Sequence, residues 1–535
     1  TDGGATWQAA NSGLPSRTVR GFTGGSDKTR KLTALYCTLG NQGVFKSTDG
    51  AGTWIQVKGL PAGREFVFAA MSREHPDICY VTDRGRQWTV YKTTDGGMSW
   101  TSCFRGPARS GYSNPNVELS WLAEWTWGWG GPAIGFNVNH ANPDVAMYTN
   151  TGELYITQDG GKSWYQAQSG KAEQPNKWYS IGLEVTTCWH YDIDPNNPQY
   201  HYICYTDIGF ARSDDGGRTW EHRGRFAPWG NTFYQLAFEP TVPGKVFTAA
   251  SNVHDIGGWG FTDPARTKGP GGVALSEDYG YTWKAVSEGL PNAPCTSIVM
   301  DMKSPPQNRT LYAAMVGHGV YKTTDGARTW VKKSSGLGTS ENMHVYALHL
   351  DRNGTLYCTV TASRTGTSSA NWHWGRGSGI WRSRDGGESW EWITESLDLG
   401  HALEMDVHPE NPNIILLAAI DLPQPKGSQG GLYMTTDGGA NWRRILSKSD
   451  FTQTGFVHVF KPTFHPKKPN IVYLSTWTHG LWVSVDGGRN WQEFKDMPVS
   501  NPLRIGFDPR DDNVIYVTSY GKGVRKGPAL PGQGQ

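Results

Sequence analysis

Two short stretches carry carboxylates in a setting suited to acid–base chemistry. They are Cys204-Tyr-Thr-Asp207-Ile-Gly-Phe-Ala-Arg212 and Ser251-Asn-Val-His254-Asp255-Ile-Gly-Gly-Trp259, and each reads as a turn leaving an apolar strand. Two carboxyl groups can cleave a glycosidic bond together. A protonated one donates to the leaving oxygen, and an ionised one activates water. Inversion at the anomeric carbon requires them to stand about 6.5–9.5 Å apart. Asp255 is the expected acid, because Trp259 and the loop after it can desolvate the carboxyl and raise its pKa. Asp207, in a shorter and wetter turn, is the expected base. Turn chemistry alone also explains an Asp at such a place, as in Thr82-Asp83-Arg-Gly85. His190, within Cys188-Trp189-His190-Tyr191-Asp192, begins an inner strand, and its plainer reading is a core or channel histidine.

A second set of residues could hold a ligand. The chain has 25 Trp among 535 residues. Trp121, Trp125, Trp127 and Trp129 fall within one insertion, and Trp259, Trp372 and Trp374 in others. With Trp189 and His190 they form the candidate substrate-binding set. Indole faces interspersed with Asp, Glu, Asn and His suit sugar rings, whose C–H faces stack on aromatics. The alternatives are that these loops pack on one another as a cap, or that they bind a protein.

The elements that must position these residues are repeats. The octapeptide Ser/Thr-x-Asp-x-Gly-x-Thr/Ser/Asn-Trp recurs, with Asp at 2, 49, 95, 159, 215, 278, 325, 385, 437 and 486 and a Trp five residues after each. Ala51 and Ala327 replace the usual second Gly. The Asp is expected to accept amides of its own turn, the Gly residues to permit positive φ, and the Trp to pack into the core. The motif is identified as the Asp-box, or BNR repeat, of the sialidase-like propellers.

Around each box the order is strand A, a Pro turn such as Phe464-His465-Pro466, strand B, a Gly turn, strand C, the box and strand D. Four short antiparallel strands per unit predict a propeller blade. The fold expected is all-β: a single ten-bladed propeller over residues 1–526, with a flexible tail at 527–535. A terminal box without a strand C and a terminal blade without a box would share one blade, removing sheet edges. Two smaller rings are the alternative. Strand direction sorts the loops, so the insertions 101–134, 165–188, 254–271, 362–378 and 422–430 gather on the face of the B–C turns, where function is expected.

Thr206-Asp207-Ile-Gly and Asp255-Ile-Gly-Gly resemble the two catalytic-aspartate motifs of the family 74 glycoside hydrolases, Asp-box enzymes that cleave xyloglucan with inversion. The resemblance implies a secreted, extracellular or periplasmic protein acting on a polysaccharide or oligosaccharide. That family carries its acids on two seven-bladed propellers across a cleft, whereas here they lie 48 positions apart in successive blades. Ten boxes also resemble the luminal domain of sortilin-type receptors, which implies peptide or protein binding, although the cysteine-rich segment that follows that domain is absent. A scaffold without a ligand is the third class. A sialidase would need an arginine triad and a Tyr nucleophile that the Arg positions do not assemble.

Composition excludes several other classes. A net charge of +2 gives no electrostatic case for nucleic acid. No apolar run approaches the ~20 residues of a membrane span. Seven cysteines show neither CxxC pairs nor metal spacing, and several lie in apolar strands, so they read as small buried hydrophobes. No metal or cofactor is expected. The chain begins inside a box, so any signal peptide has been removed or lies outside it.

Overall fold

The computed structural model describes residues 3–531 apart from 86–87, 106–115, 119–130, 182–185, 259–262, 264, 266, 367–370, 424–428 and 452–457. The chain forms two compact units, residues 1–185 and 186–535. The secondary structure described is β-strand with short 3₁₀ turns.

The first unit holds antiparallel four-stranded sheets at residues 21–56 and 66–105. Its third sheet, at 135–166, gains Val117–Glu118 as a parallel edge strand. Among the described residues the second unit holds seven sheets of three or four strands, at residues 188–222, 232–285, 295–332, 345–392, 401–446, 459–493 and 502–528, and a two-stranded hairpin at 363–375. Second strands such as Val246–Ser251 and Ile415–Ile420 are buried throughout and read as unbroken small or apolar runs, because each sheet is covered on both faces. Fourth strands such as Lys284–Ala285 and Val331–Lys332 are two residues long and exposed, which leaves little edge for another chain to pair with.

Each sheet of the second unit packs on the next, and the sheet of 188–222 packs on that of 502–528. Tyr191 and Tyr516 stack across this junction, with ring centroids 4.4 Å apart. The second unit is therefore a ring of seven sheets closed within itself. This corrects the expected closure. Among the described residues the last sheet has three strands, all from 502–528, and residues 3–10 add none. The reason is which faces pack together: Pro502–Phe507 finds its neighbour in Cys188–Ile193.

All seven innermost strands carry a bulge near their start, where the pairing with the second strand skips one or two residues. The residues skipped are Trp189, Tyr234, Thr296, Tyr346, Leu403-Glu404, Phe460 and Leu503-Arg504. A bulge re-aims a side chain and increases local twist. Here it collects most of these residues into one buried cluster in which Trp189 packs against Tyr234 and Phe460 at 5.5 and 6.2 Å. Arg504 lies 5.5 and 5.3 Å from the Trp189 and Phe460 rings and pairs with Glu404, which also accepts from Lys461 at 3.0 Å. Burial pushes Glu404 up, but the charges of Arg504 and Lys461 outweigh it and hold the carboxyl below its ordinary value.

The box aspartates behave as turn staples. Asp49 accepts the Ser47 hydroxyl at 2.7 Å, the Thr53 amide at 2.9 Å and the Thr53 hydroxyl at 2.6 Å. The same pattern holds at Asp215, Asp325 and Asp437. Ala51 and Ala327 keep the left-handed backbone of the missing Gly, at φ 76° and 71°. Trp330 donates to the Val286 carbonyl and Trp390 to that of Lys333, so these two boxes tie their blades to the preceding ones, whereas Trp220 and Trp491 donate within their own boxes. Trp7 corrects the expectation that every box Trp is buried. It is 89% exposed, since residues 3–20 contain no strand for it to cover. The seven cysteines are free and buried, among them Cys37, Cys79, Cys204 and Cys358, the four whose apolar strands point to the core.

Candidate functional site

Asp207 and Asp255 occupy turns with one design. Each follows the second strand of its sheet, each has a left-handed backbone (φ 64° and 54°), and each is followed by a buried Ile, then by a Gly with positive φ. Ile208 and Ile256 anchor the turns from below. A Cβ on Gly209 would lie 2.5 Å from the Gly230 carbonyl, and one on Gly257 would lie 2.7 Å from the Tyr346 hydroxyl, so both glycines are needed for close approach.

The buried cluster supports both turns. Trp189 Nε1 donates to the Thr206 hydroxyl at 3.0 Å, and that same hydroxyl accepts the Asp255 amide at 3.4 Å. The Tyr234 hydroxyl donates to the Val253 carbonyl at 2.8 Å and accepts the Ile256 amide at 3.2 Å. His401 Nδ1 accepts the Ala362 amide at 3.2 Å, which leaves its Nε2–H to donate to the Gly257 carbonyl at 2.8 Å. Burial pushes His401 down to about 4, in keeping with a neutral ring in that tautomer.

The two carboxyls meet at one imidazole. His254 Nδ1 lies 3.1 Å from Asp255 Oδ2 and 3.5 Å from Asp207 Oδ1. Those two oxygens are therefore no farther apart than the two distances laid end to end, about 6.6 Å. Asp207 Oδ2 accepts the Thr186 hydroxyl at 3.2 Å. Asp255 Oδ1 is buried and has no hydrogen-bond partner among the described residues. Burial raises the Asp207 carboxyl above its ordinary value. The Asp255 charge adds to the rise, while His254, Thr186 and Asn231 oppose it.

The aromatic candidates are placed unequally. Trp121, Trp125, Trp127, Trp129 and Trp259 lie outside the described residues. Trp189 is 1% exposed, a support beneath the Asp207 turn with no face for a sugar. His190 is half-buried on the innermost strand, and burial, with the charges of Arg504 and Lys461, holds it well below its ordinary value. Trp372 and Trp374 stand on the hairpin of Ser363–Thr365 and His373–Gly375, with Arg364 4.3 Å from the Trp372 ring. Arg364 also approaches Asp263, on the loop that follows Asp255, at 3.7 Å.

Two aromatics near the carboxyls escaped the sequence reading. Trp477 and Tyr520 are half-buried, with ring centroids 4.0 Å apart. Burial raises the Tyr520 hydroxyl to about 12, with the charges of Asp255 and Asp207 contributing, and both aromatics pack against the buried cluster beneath the two turns. Their signal is an aromatic opening the B–C turn, in Trp477-Thr-His-Gly480 and Tyr520-Gly521.

The chain is similar to known proteins of two kinds. Residues 378–527 match the model of the sortilin family, described as sortilin, neurotensin receptor 3. The xyloglucanase Xgh74A of Acetivibrio thermocellus is 24% identical over 380 residues, covering 64% of this chain and 41% of that protein. A protein of Neosartorya fischeri named "Probable oligoxyloglucan-reducing end-specific xyloglucanase" is 22% identical over 372 residues, 61% of this chain and 42% of its own length. The chain thus spans about two fifths of these relatives. Among solved structures, an ancestral GH74 enzyme superposes with a TM-score of 0.59 at 15% identity, covering 97% of this chain and 79% of that one. This chain is an all-β protein of propeller type, similar to the family 74 glycoside hydrolases and, over its last blades, to the sortilin family.

Proposed function

We propose that residues 186–535 carry the active centre of a glycoside hydrolase acting on a xyloglucan-type plant polysaccharide, with Asp207 and Asp255 as its two carboxyl groups. The observation that carries this reading is the approach of both carboxylates to His254 Nδ1, which puts them within reach of a single glycosidic bond. The sortilin match begins at residue 378, beyond both acids, and does not bear on them.

The roles reverse those expected from loop length. Asp207 is the carboxyl that burial pushes up, so of the two it is the better suited to donate a proton to the leaving oxygen. Asp255, the more exposed of the two, takes the proton of the attacking water. Water then bonds to the anomeric carbon as the glycosidic C–O bond breaks, and one proton passes to each side. Trp477 and Tyr520 offer a face for the adjoining sugar ring. A polymer of this kind is met outside the cytoplasm, so secretion or export belongs to the same reading. No helix among the described residues is long and apolar enough to cross a membrane.

The test is incubation with xyloglucan, mixed-linkage β-glucan, cellulose and pectin, with the anomer of the first product read by proton NMR. Cleavage of xyloglucan is expected; because the two oxygens facing His254 are at most about 6.6 Å apart, at or below the inverting separation, the anomer of the first product decides between inversion and retention. Absence of cleavage of every polymer, with wild-type fold, refutes the reading.

A further inference from the structure

We propose that His254 is the positioning residue of the carboxyl pair: its Nδ1–H fixes Asp255 as the ionised member and so makes two otherwise similar aspartates unequal. The inference rests on the hydrolase reading for its consequence, but not for its geometry.

Asp207 and Asp255 share backbone conformation, following residues and support, so the turns themselves do not assign acid and base. Both aspartates face one imidazole, though not equally, and Asp207 alone also accepts from Thr186. His254 Nδ1 faces two carboxylate oxygens, at 3.1 and 3.5 Å. A bare ring nitrogen there would set its lone pair against theirs. The proton of the imidazole therefore belongs on Nδ1, pointing at acceptors. The shorter contact is to Asp255, and a hydrogen bond to the charged form favours that form. Asp207 has the longer contact and the deeper burial, its side chain being 12% exposed against 23% for Asp255. The imidazole itself is 44% exposed, at the mouth of the site, where a substrate can displace its edge without unpacking the core. Among the described residues, Tyr520, Tyr234 and Tyr346 also feel the charge of the pair, and burial raises all three hydroxyls, so none of them supplies a competing charge.

The experiment has a spectroscopic and a kinetic arm. In ¹⁵N-histidine-labelled protein, the His254 ring, assigned with His254→Ala, is expected as the Nδ1–H tautomer when neutral. Asp255→Asn should perturb its Nδ1 signal more than Asp207→Asn does. On xyloglucan, His254→Ala should lower kcat about 10–100-fold with KM changed less than about threefold. His254→Asn, whose amide donates from nearly the same place, should restore most of it. Near-UV circular dichroism confirms that both variants fold. An Nε2–H tautomer, or an Asn variant as slow as Ala, overturns the proposal. If wild-type protein cleaves no glucan, the hydrolase reading fails alone, and the tautomer still decides the positioning role.

Discussion

Asp207 and Asp255 stand in the same left-handed backbone conformation, φ 64° and 54°, Asp207 two residues and Asp255 four residues after the buried second strand of its own blade. Among side chains, Asn and Asp tolerate this conformation best after Gly. Asn is therefore the substitution that removes the carboxyl and spares the turn. Asp207→Asn and Asp255→Asn are each expected to lower kcat on xyloglucan about 10²–10⁴-fold with little change in KM. Ala at either place adds backbone strain of about 1–2 kcal/mol, and loss of activity there would be less informative. Undiminished turnover in either Asn variant removes that residue from the mechanism.

Asp207 also links function to stability. Its folded pKa is raised, mainly by burial, so the folded state favours the protonated form. The stability that proton confers is complete below the ordinary carboxyl range and is lost as pH rises through the folded pKa. Asp207→Asn, with no charge to bury, should therefore have a higher Tm than wild type at pH 7 but not at pH 3. A variant less stable at pH 7 would show that the carboxylate is held by its partners rather than strained by burial.

Trp477 and Tyr520 pack together against the buried cluster beneath the carboxyls, with ring centroids 4.0 Å apart, and both are half-buried. Replacing Trp477 with Ala removes a stacking face worth about 0.5–1.5 kcal/mol. KM should rise about threefold to tenfold while kcat holds within about twofold. The reverse pattern, kcat falling at constant KM, would mean that Trp477 supports the acids instead of the sugar.

The nine boxes beyond the first should divide from it in energetic weight. Trp330 is buried and donates to Val286 of the neighbouring blade, so Trp330→Ala should cost about 3–5 kcal/mol in urea unfolding. Trp7 covers nothing, and Trp7→Ala should stay within about 0.5 kcal/mol of wild type. A matching cost at both positions would contradict the described environment of Trp7.

The blade was legible because its signals are local. A box closes its own turn with bonds from Ser47, Asp49 and Thr53, all inside one octapeptide, and so reads directly from residue order. The Asp-Ile-Gly turns were legible for the same reason. Ring closure was not, because every blade offers its neighbour much the same mixture of Val, Ala, Leu and Tyr. Only the pairing of particular faces, such as Tyr191 on Tyr516, decides which blades adjoin. The bulges that aim Trp189, Tyr346 and Arg504 inward come from register against the second strand, which no single segment records. His254 looked like one more turn residue until two blades brought two carboxylates to its ring.

Arg309 and Glu239 join neighbouring blades through a buried bidentate pair, with Nε to Oε2 at 2.6 Å and Nη2 to Oε1 at 2.9 Å. Hydrogen bonds from Arg309 hold the Glu239 carboxyl down at about 2, with the Thr241 hydroxyl and amide assisting. A depressed carboxyl adds stability that is present above its unfolded pKa and is lost as pH falls through the folded value. The wild-type pair should therefore weaken between about pH 4.5 and pH 2. Arg309→Met fills the space but strands the charge, and breaking a buried pair from one side costs about 3–5 kcal/mol. In that variant the sign reverses: Glu239 loses its cation, protonation relieves it, and the deficit relative to wild type should shrink on acidification from pH 7 to pH 4. Arg309→Met combined with Glu239→Gln should recover part of the loss at pH 7, because no charge is left buried. Urea unfolding of the three proteins at both pH values reads all of this. A deficit that stays constant with pH would mean that lost packing, rather than the stranded carboxylate, sets the cost.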